Sequence, residues 1–212
     1  VDRLRREFGV AANTGKPMVT YYETVAAAGQ GRHRFDREIG GKRLFADVAV
    51  EVEPRPRGSG TSTEVRQACR DLPAALAEAV GQGLEDGIST GVLARYPMID
   101  LAARVTAVGV GDAEGAMPVA FRTAAVMAFR AAAEAAQPEL LEPIMRLVIA
   151  TPPEHVGEII GDVNARRGQV RDLEDRGGTK VVQAAVPLAE LFGYSTAIRS
   201  LSRGRASYTM EP

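Results

Sequence analysis

The chain has 212 residues, of which 45% are hydrophobic, and its formal net charge is −1 at pH 7. This length suffices for one large domain or two small ones with their own cores, whereas the near-neutral charge excludes binding of nucleic acid through overall charge. The single cysteine, Cys69, excludes an internal disulfide framework and a cysteine-rich zinc site. The two histidines, His33 and His155, lack a metal-type spacing, so we predict no metal site.

The hydropathy and the first residues bear on cellular location. No stretch approaches the roughly 20 apolar residues that a membrane span needs, and the N-terminal residues lack the order of a signal peptide. We therefore expect a cytoplasmic protein with no membrane partner. Residues 1–12 start as a charged amphipathic helix without a cap or a Met, so we expect them to be the end of a preceding domain in a longer protein.

Residues 13–138 are expected to form one domain with three strands, a helix, a strand and a long helix. β-branched and aromatic residues indicate the strands, and apolar residues at helical spacing indicate the helices. Pro73 and Gly87 predict the bounds of the first helix. The predicted segments are strands at 17–25, 32–39 and 45–54, a turn at 40–42, a loop at 54–63, a helix at 73–87, a strand at 97–110, a loop at 111–118 and a helix at 118–136.

Residues 139–212 are expected to form a second domain, because the composition restarts near Pro138. The apolar face of its first helix is predicted to contain Val156, Ile159, Ile160 and Val163. Gly168 occupies the position of a C-cap glycine. The order β-α-β-β-α-β is the ferredoxin-like pattern, so we predict an α+β protein. The predicted segments are strands at 143–153, 169–175 and 179–188, helices at 154–168 and 189–204, and a strand at 205–212.

Motifs for nucleotide or acyl chemistry are missing from the sequence. No G-x-x-x-x-G-K-[ST] run occurs, so the chain has no P-loop. Gly109 and Gly111 begin like a dinucleotide-binding fingerprint, but Glu114 stands where the third glycine belongs. No nucleophile elbow or zinc-protease motif occurs. We predict no catalytic residue in this chain.

Arginines cluster around the predicted helix ends and turns of the second domain. From Glu142 onward there are 9 basic and 9 acidic side chains, so local clustering rather than bulk charge must supply any affinity for RNA. Arginine forks in short turns suit contacts to phosphates, although cations at a helix C-terminus also oppose the helix dipole without any further role. The predicted RNA-contacting residues are Arg166, Arg167, Arg171, Arg176, Arg199, Arg203 and Arg205.

The sequence from Leu140 to Pro212 resembles the last domain of elongation factor G, the translocation GTPase. The resemblance rests on "LLEPIM", "GD-N-RRG", "VPLAE-FGY", "IRSLS-GR" and "MEP", which occur in the family's order. Upstream, "EVEP", "LEDGISTGVLARYPMID" and "AFRTAAVMAFRAA" are similar to domain IV of that family, and the first residues are similar to the end of its domain III. The resemblance covers the whole chain, more loosely before residue 138.

The resemblance implies a ribosomal protein S5 domain 2-like domain followed by a ferredoxin-like domain V. It also implies the ribosome as partner, through ribosomal RNA and through tRNA or mRNA at the decoding site, for a protein expected to be a monomer. GTP and Mg²⁺ are implied only for a domain N-terminal to this chain. The implied tip loops of domain IV contain Gly40, Gly41, Lys42 and Arg43 on one side and Asp112, Glu114 and Gly115 on the other.

The tip loops depart from the family pattern. The family's glycine-rich "RGQYGH"-like run is replaced by "KRLFAD" at residues 42–47, and its "HEVDSSE"-like run by "DAEGAMP" at residues 112–118. We therefore expect a divergent paralogue with an altered tip function. A ribosome-protection or recycling-type factor shares the implied architecture. A ferredoxin-like regulatory domain that binds a small anion near Gly161 and Gly168 is a further alternative.

Overall fold

A computed structural model of the chain describes residues 19–111 and 116–212. Contacts divide it into a compact unit at Tyr21–Leu141, here called the N-terminal domain, and a unit that contains Glu142–Pro212, here called the C-terminal domain. The helix predicted at residues 1–12 lies outside the described residues. Among the residues that are described, no helix is long and apolar enough to cross a membrane.

The N-terminal domain is a four-stranded sheet with two helices against one face. Its strands follow the order β2-β3-β5-β4, in which β4 runs parallel to β5 and the other neighbours are antiparallel, and β1 pairs with β6 in a separate two-stranded ribbon. The elements are β1 (Tyr22–Val25), β2 (Gly29–Ile39), β3 (Lys42–Pro54), β4 (Ser62–Glu64), α1 (Ala74–Thr90), β5 (Leu101–Val110), α2 (Pro118–Ala135) and β6 (Pro138–Leu141).

Helix α2 packs unusually close to strand β2, because both present small residues at their contact. A Cβ atom on Gly29 would overlap the carbonyl oxygen of Ala132, and one on Gly31 would overlap that of Ala128. The buried face of α2 is accordingly built from alanines, with Phe121 as one of its two large side chains. Alanine also has the highest helix propensity, so this sequence favours both the helix and its close packing.

Helix α1 differs from its prediction at its C-terminus. It continues past Gly87 to Thr90, and Gly91 with φ of 67° follows it. Gly87 is instead buried against Phe129, where a Cβ would lie 2.6 Å from the ring atom Cδ1. The glycine therefore permits close packing of α1 on α2 rather than ending the helix.

Glu23 of β1 is a fully buried carboxylate that organises the loop after α1. Its two oxygens accept four backbone N–H bonds of 2.6–3.1 Å from that loop. Burial by itself raises the pKa of Glu23, but these hydrogen bonds outweigh it and the net pKa is lowered. The donors are Val92, Leu93, Ala94 and Tyr96.

The C-terminal domain has the ferredoxin-like topology that the sequence predicted. Its antiparallel sheet has the order β10-β7-β9-β8. The core contains Leu147, Ile149, Ile159, Val163 and Tyr194, so the predicted apolar face of the first helix is confirmed. The elements are β7 (Ile144–Thr151), a 3-10 turn (Pro153–His155), α3 (Val156–Ala165), β8 (Gln169–Arg176), β9 (Thr179–Pro187), a 3-10 turn (Leu188–Leu191), α4 (Tyr194–Leu201) and β10 (Ser207–Glu211).

The predicted helix at 189–204 was too long, because Gly193 with φ of 75° separates a 3-10 turn from α4. Helices α3 and α4 end in the same way, in a Schellman motif. After α3, Arg167 has φ of 57° and the N–H of Gly168 donates to the Val163 carbonyl at 2.9 Å. After α4, Arg203 has φ of 49° and the N–H of Gly204 donates to the Arg199 carbonyl at 2.8 Å.

A glycine at the end of a helix commonly takes the left-handed conformation, but at the end of α3 Arg167 takes it instead of Gly168. Gly168 is needed for space, since a Cβ there would lie 2.7 Å from the Val163 carbonyl oxygen and 2.8 Å from Val186 Cγ2.

We predict that Gly168→Ala destabilises the protein by about 2 kcal/mol through overpacking. Gly161→Ala, at an open position in α3, should stabilise it by about 1 kcal/mol. Equal effects of the two changes in urea unfolding would show that space at Gly168 does not matter.

We further predict that Glu23→Gln lowers the free energy of unfolding by about 3 kcal/mol. The side-chain NH₂ group of glutamine would replace one carboxylate oxygen and would face backbone N–H groups, which need an acceptor. The folded-state pKa of Glu23 lies below its ordinary value of 4.5, so its contribution is complete above that pH and is lost as the pH falls through the lowered pKa. Urea unfolding should therefore show a difference between wild type and variant that shrinks in acid. Glu53→Gln, at an exposed position, is the matched control.

Candidate functional site

Arg166, at the end of α3, is held by contacts within the C-terminal domain. Its Nε donates to Asp162 Oδ2 at 2.8 Å, its Nη1 donates to the carbonyl of Glu190 at 2.6 Å, and its guanidinium lies 5.1 Å from the ring centre of Tyr194. Burial raises the pKa of Tyr194 to about 12. Only 21% of the Arg166 side chain is exposed. Arg166 therefore joins the end of α3 to the start of α4.

Arg167 uses its guanidinium in a similar way. It bonds both oxygens of Glu142, at 2.9 and 3.0 Å, and its Nε donates to Glu190 Oε1 at 3.0 Å. The hydrogen bonds to Glu142 and then Glu190 raise the pKa of Arg167 above its ordinary value. The ion pairs with two carboxylates thus offset the energetic cost of the left-handed backbone conformation of this residue.

Arg205 makes the corresponding link at the opposite end of the helix pair. It pairs with Glu154 at 2.8 Å and lies 2.8 Å from Nε2 of the buried His155, just before α3. Since arginine can only donate, His155 Nε2 accepts in this arrangement. Arg176 pairs with its near neighbour Glu174 at 2.7 Å.

Three of the predicted RNA-contacting arginines have no such partner. Arg171 occupies the bulge of β8, where the register with β9 shifts, and Arg199 lies on the exposed side of α4. Arg203 follows α4 and is exposed as well. Within residues 19–111 and 116–212, no carboxylate pairs with any of these three. The predicted set therefore separates into four arginines with a carboxylate partner in the domain and three without one.

The predicted tip at Gly40, Gly41, Lys42 and Arg43 is the turn of the β2–β3 hairpin. The two glycines have φ of 61° and 76°, as a tight two-residue hairpin turn requires. Lys42 is exposed, and Arg43 makes a two-pronged pair with Asp36 at 2.8 and 2.6 Å. The other tip residues, Asp112, Glu114 and Gly115, lie outside the described residues.

A second cluster of the hairpin was not predicted from the sequence. Asp47 of β3, whose side chain is 5% exposed, accepts two bonds of 2.8 Å from Arg32 and bonds of 3.2 and 3.0 Å from Arg34. The hydrogen bond from Arg32, above all, holds the pKa of Asp47 below its ordinary range. The guanidinium of Arg34 also lies 5.7 Å from the ring centre of Phe45. We call Arg32, Arg34 and Asp47 the arginine clamp.

The folds of the two domains agree with the comparisons with known proteins. Residues 17–137 match the family described as elongation factor G, domain IV, and residues 139–212 match elongation factor G C-terminus. The two matches identify the C-terminal region of a protein of the translation elongation factor class. The chain belongs to the elongation factor G family.

One solved structure extends this likeness to three dimensions. A crystal structure of a protein from Thermus thermophilus is 33% identical in sequence, with a TM-score of 0.78 over 99% of this chain. The chain covers 31% of the length of that protein.

We predict that Arg166→Ala destabilises the C-terminal domain by about 2 kcal/mol, because it leaves Asp162 and the Glu190 carbonyl without their donor. Arg199→Ala removes the same side chain from an exposed position, and its effect should stay within about 0.5 kcal/mol. Chemical denaturation of the two variants measures the difference. Similar destabilisation in both would show that the contacts of Arg166 contribute little to folding.

Proposed function

We propose that this chain engages the ribosome as the C-terminal part of a translational GTPase, in translocation or a related step of protein synthesis. The observation that carries the proposal is the match of two elongation factor G domains, in the family's order, over residues 17–137 and 139–212. The fold of each domain agrees with that match.

The C-terminal domain binds ribosomal RNA through arginines that are not committed to the fold. Arg171, Arg199 and Arg203 are exposed, and a guanidinium offers several N–H donors to phosphate oxygens. Arg166, Arg167 and Arg205 contribute indirectly, since their ion pairs fix the ends of the two helices. The prediction from the sequence was that all seven arginines contact RNA, and this proposal restricts the direct contacts to three of them. Arg176, which pairs with Glu174, is assigned neither role.

The hairpin of the N-terminal domain approaches the tRNA and mRNA at the decoding site with its Gly40–Gly41 turn. Lys42 gives this end a positive charge, whereas the charge of Arg43 is paired with Asp36. Because residues 42–47 depart from the family's glycine-rich run, we also propose that the protein is a divergent paralogue with an altered tip function.

Nucleotide chemistry is assigned to a domain that would precede this chain. The described residues contain no grouping of three or more His, Cys, Asp or Glu side chains suited to a metal ion, and the sequence has no P-loop.

Co-sedimentation with ribosomes across a series of salt concentrations tests the proposal. Wild-type chain should bind, and Arg171→Ala/Arg199→Ala/Arg203→Ala should bind more weakly. The affinity of the triple variant should also depend less on salt. The slope of log affinity against log salt concentration should become shallower by roughly one for each phosphate contact that is lost. The control is Arg66→Ala/Arg70→Ala/Arg130→Ala, which removes three exposed arginines from the other domain. Equal weakening by both triple variants would reject the assignment of these residues, and no binding by wild type would reject the proposal itself.

A further inference from the structure

The open face of the N-terminal sheet carries the arginine clamp. In β3, Leu44, Ala46 and Val48 are buried in the core that faces the helices, so the intervening residues lie on the other face of the sheet. Asp47 is one of these, and it lies directly opposite Arg34 of β2. Asp47 is nonetheless buried, because Arg32 and Arg34 cover its carboxylate while remaining 67% and 62% exposed themselves.

One guanidinium would suffice to neutralise Asp47, yet two bind it. The cluster therefore keeps a net positive charge around a single buried carboxylate. Both arginines use Nε and Nη2 for Asp47, and the Nη1 groups make no hydrogen bond within the described residues. Two guanidinium groups are thus held in fixed positions with donors still available. Fixing an arginine beforehand lowers the entropy that binding has to overcome.

The surroundings of the clamp suit a polymer with phosphates and flat bases. On the same face, Ala107 and Gly109 of β5 pair with residues of β3 and carry almost no side chain, so an extended backbone can approach closely. Phe45 lies beside the clamp and is partly exposed, with Arg34 over its ring. Aromatic and arginine planes are the surfaces on which RNA bases stack.

We infer that the arginine clamp is an RNA-backbone contact in which Asp47 holds Arg32 and Arg34 toward one phosphodiester group. Asp47 is a positioning residue, and the arginines make the contact. This site lies along the strands of the hairpin, several residues from the Gly40–Gly41 turn. The choice of RNA rests on the proposed function, whereas the preference for a phosphate rests on the geometry of the clamp.

The charge of Asp47 makes the inference sharply testable. Asp47→Asn adds one positive charge to the face, so attraction by charge alone would tighten binding to RNA. If Asp47 acts by orienting the arginines, the same change weakens binding by about fivefold, despite the added charge. Asp71→Asn makes the same change of charge at a carboxylate that is 88% exposed and pairs, among the described residues, only with its neighbour Arg70, so it should not weaken binding.

A second variant tests the inference independently if Asp47→Asn does not fold. Arg32→Lys/Arg34→Lys keeps both charges at exposed positions but removes the two-pronged forks. It should weaken binding by about the same factor, and the Lys changes should have little further effect in the Asp47→Asn background. Thermal unfolding of each variant accompanies the binding data.

Binding is measured with ribosomes by co-sedimentation and with a fluorescently labelled single-stranded RNA by anisotropy. Weaker binding of both clamp variants, with Asp71→Asn unchanged, supports the inference. If the folded Arg32→Lys/Arg34→Lys variant binds as tightly as wild type, or more tightly, the inference is overturned and the proposed function stays intact. Failure of the wild-type chain to bind ribosomes rejects the proposed function and, with it, the choice of RNA as partner.

Discussion

The backbone of helix α2 lies against strand β2 at a distance that only glycine permits at Gly29 and Gly31. This contact fixes the base of β2, and through the β2–β3 pairing it fixes the hairpin that ends at Gly40 and Gly41. The alanines of α2 serve the same contact from the other side. Any side chain at either glycine would have to push the helix and the strand apart, so the position of the arginine clamp depends on this packing.

Arginines that bind carboxylates have two different roles in this protein. Some connect segments at the helix ends, and others are held on an exposed face. In the C-terminal domain, Arg166 and Arg167 join the end of α3 to the 3-10 turn that precedes α4. Arg205, just after α4, joins that segment to the 3-10 turn that precedes α3. These pairs fix the helix ends. In the N-terminal domain, Asp47 holds Arg32 and Arg34 on an exposed face instead. A buried carboxylate with two exposed arginines is better suited to presenting charge than to cancelling it.

Much of this arrangement could be predicted from the sequence, and the rest could not for identifiable reasons. The ferredoxin-like order and the two domains follow from periodicity and from the family resemblance. The two-residue turn at Gly40–Gly41 also implies that Arg34 faces Asp47, although Arg32 reaches the same carboxylate only across a diagonal. The sequence could not indicate that Arg166 bonds the carbonyl of Glu190, because that contact depends on how two helices pack.

The most direct test of RNA binding by these arginines is a cryo-electron microscopy structure of this chain, or of the longer protein that contains it, bound to the ribosome. We expect a phosphate oxygen of RNA to lie about 2.9 Å from the guanidinium groups of Arg32 and Arg34, with Asp47 still bonded to both. We also expect RNA beside Arg199 and Arg203 of the C-terminal domain. A bound state in which the open face of the N-terminal sheet contacts only protein or solvent would contradict the role of the arginine clamp.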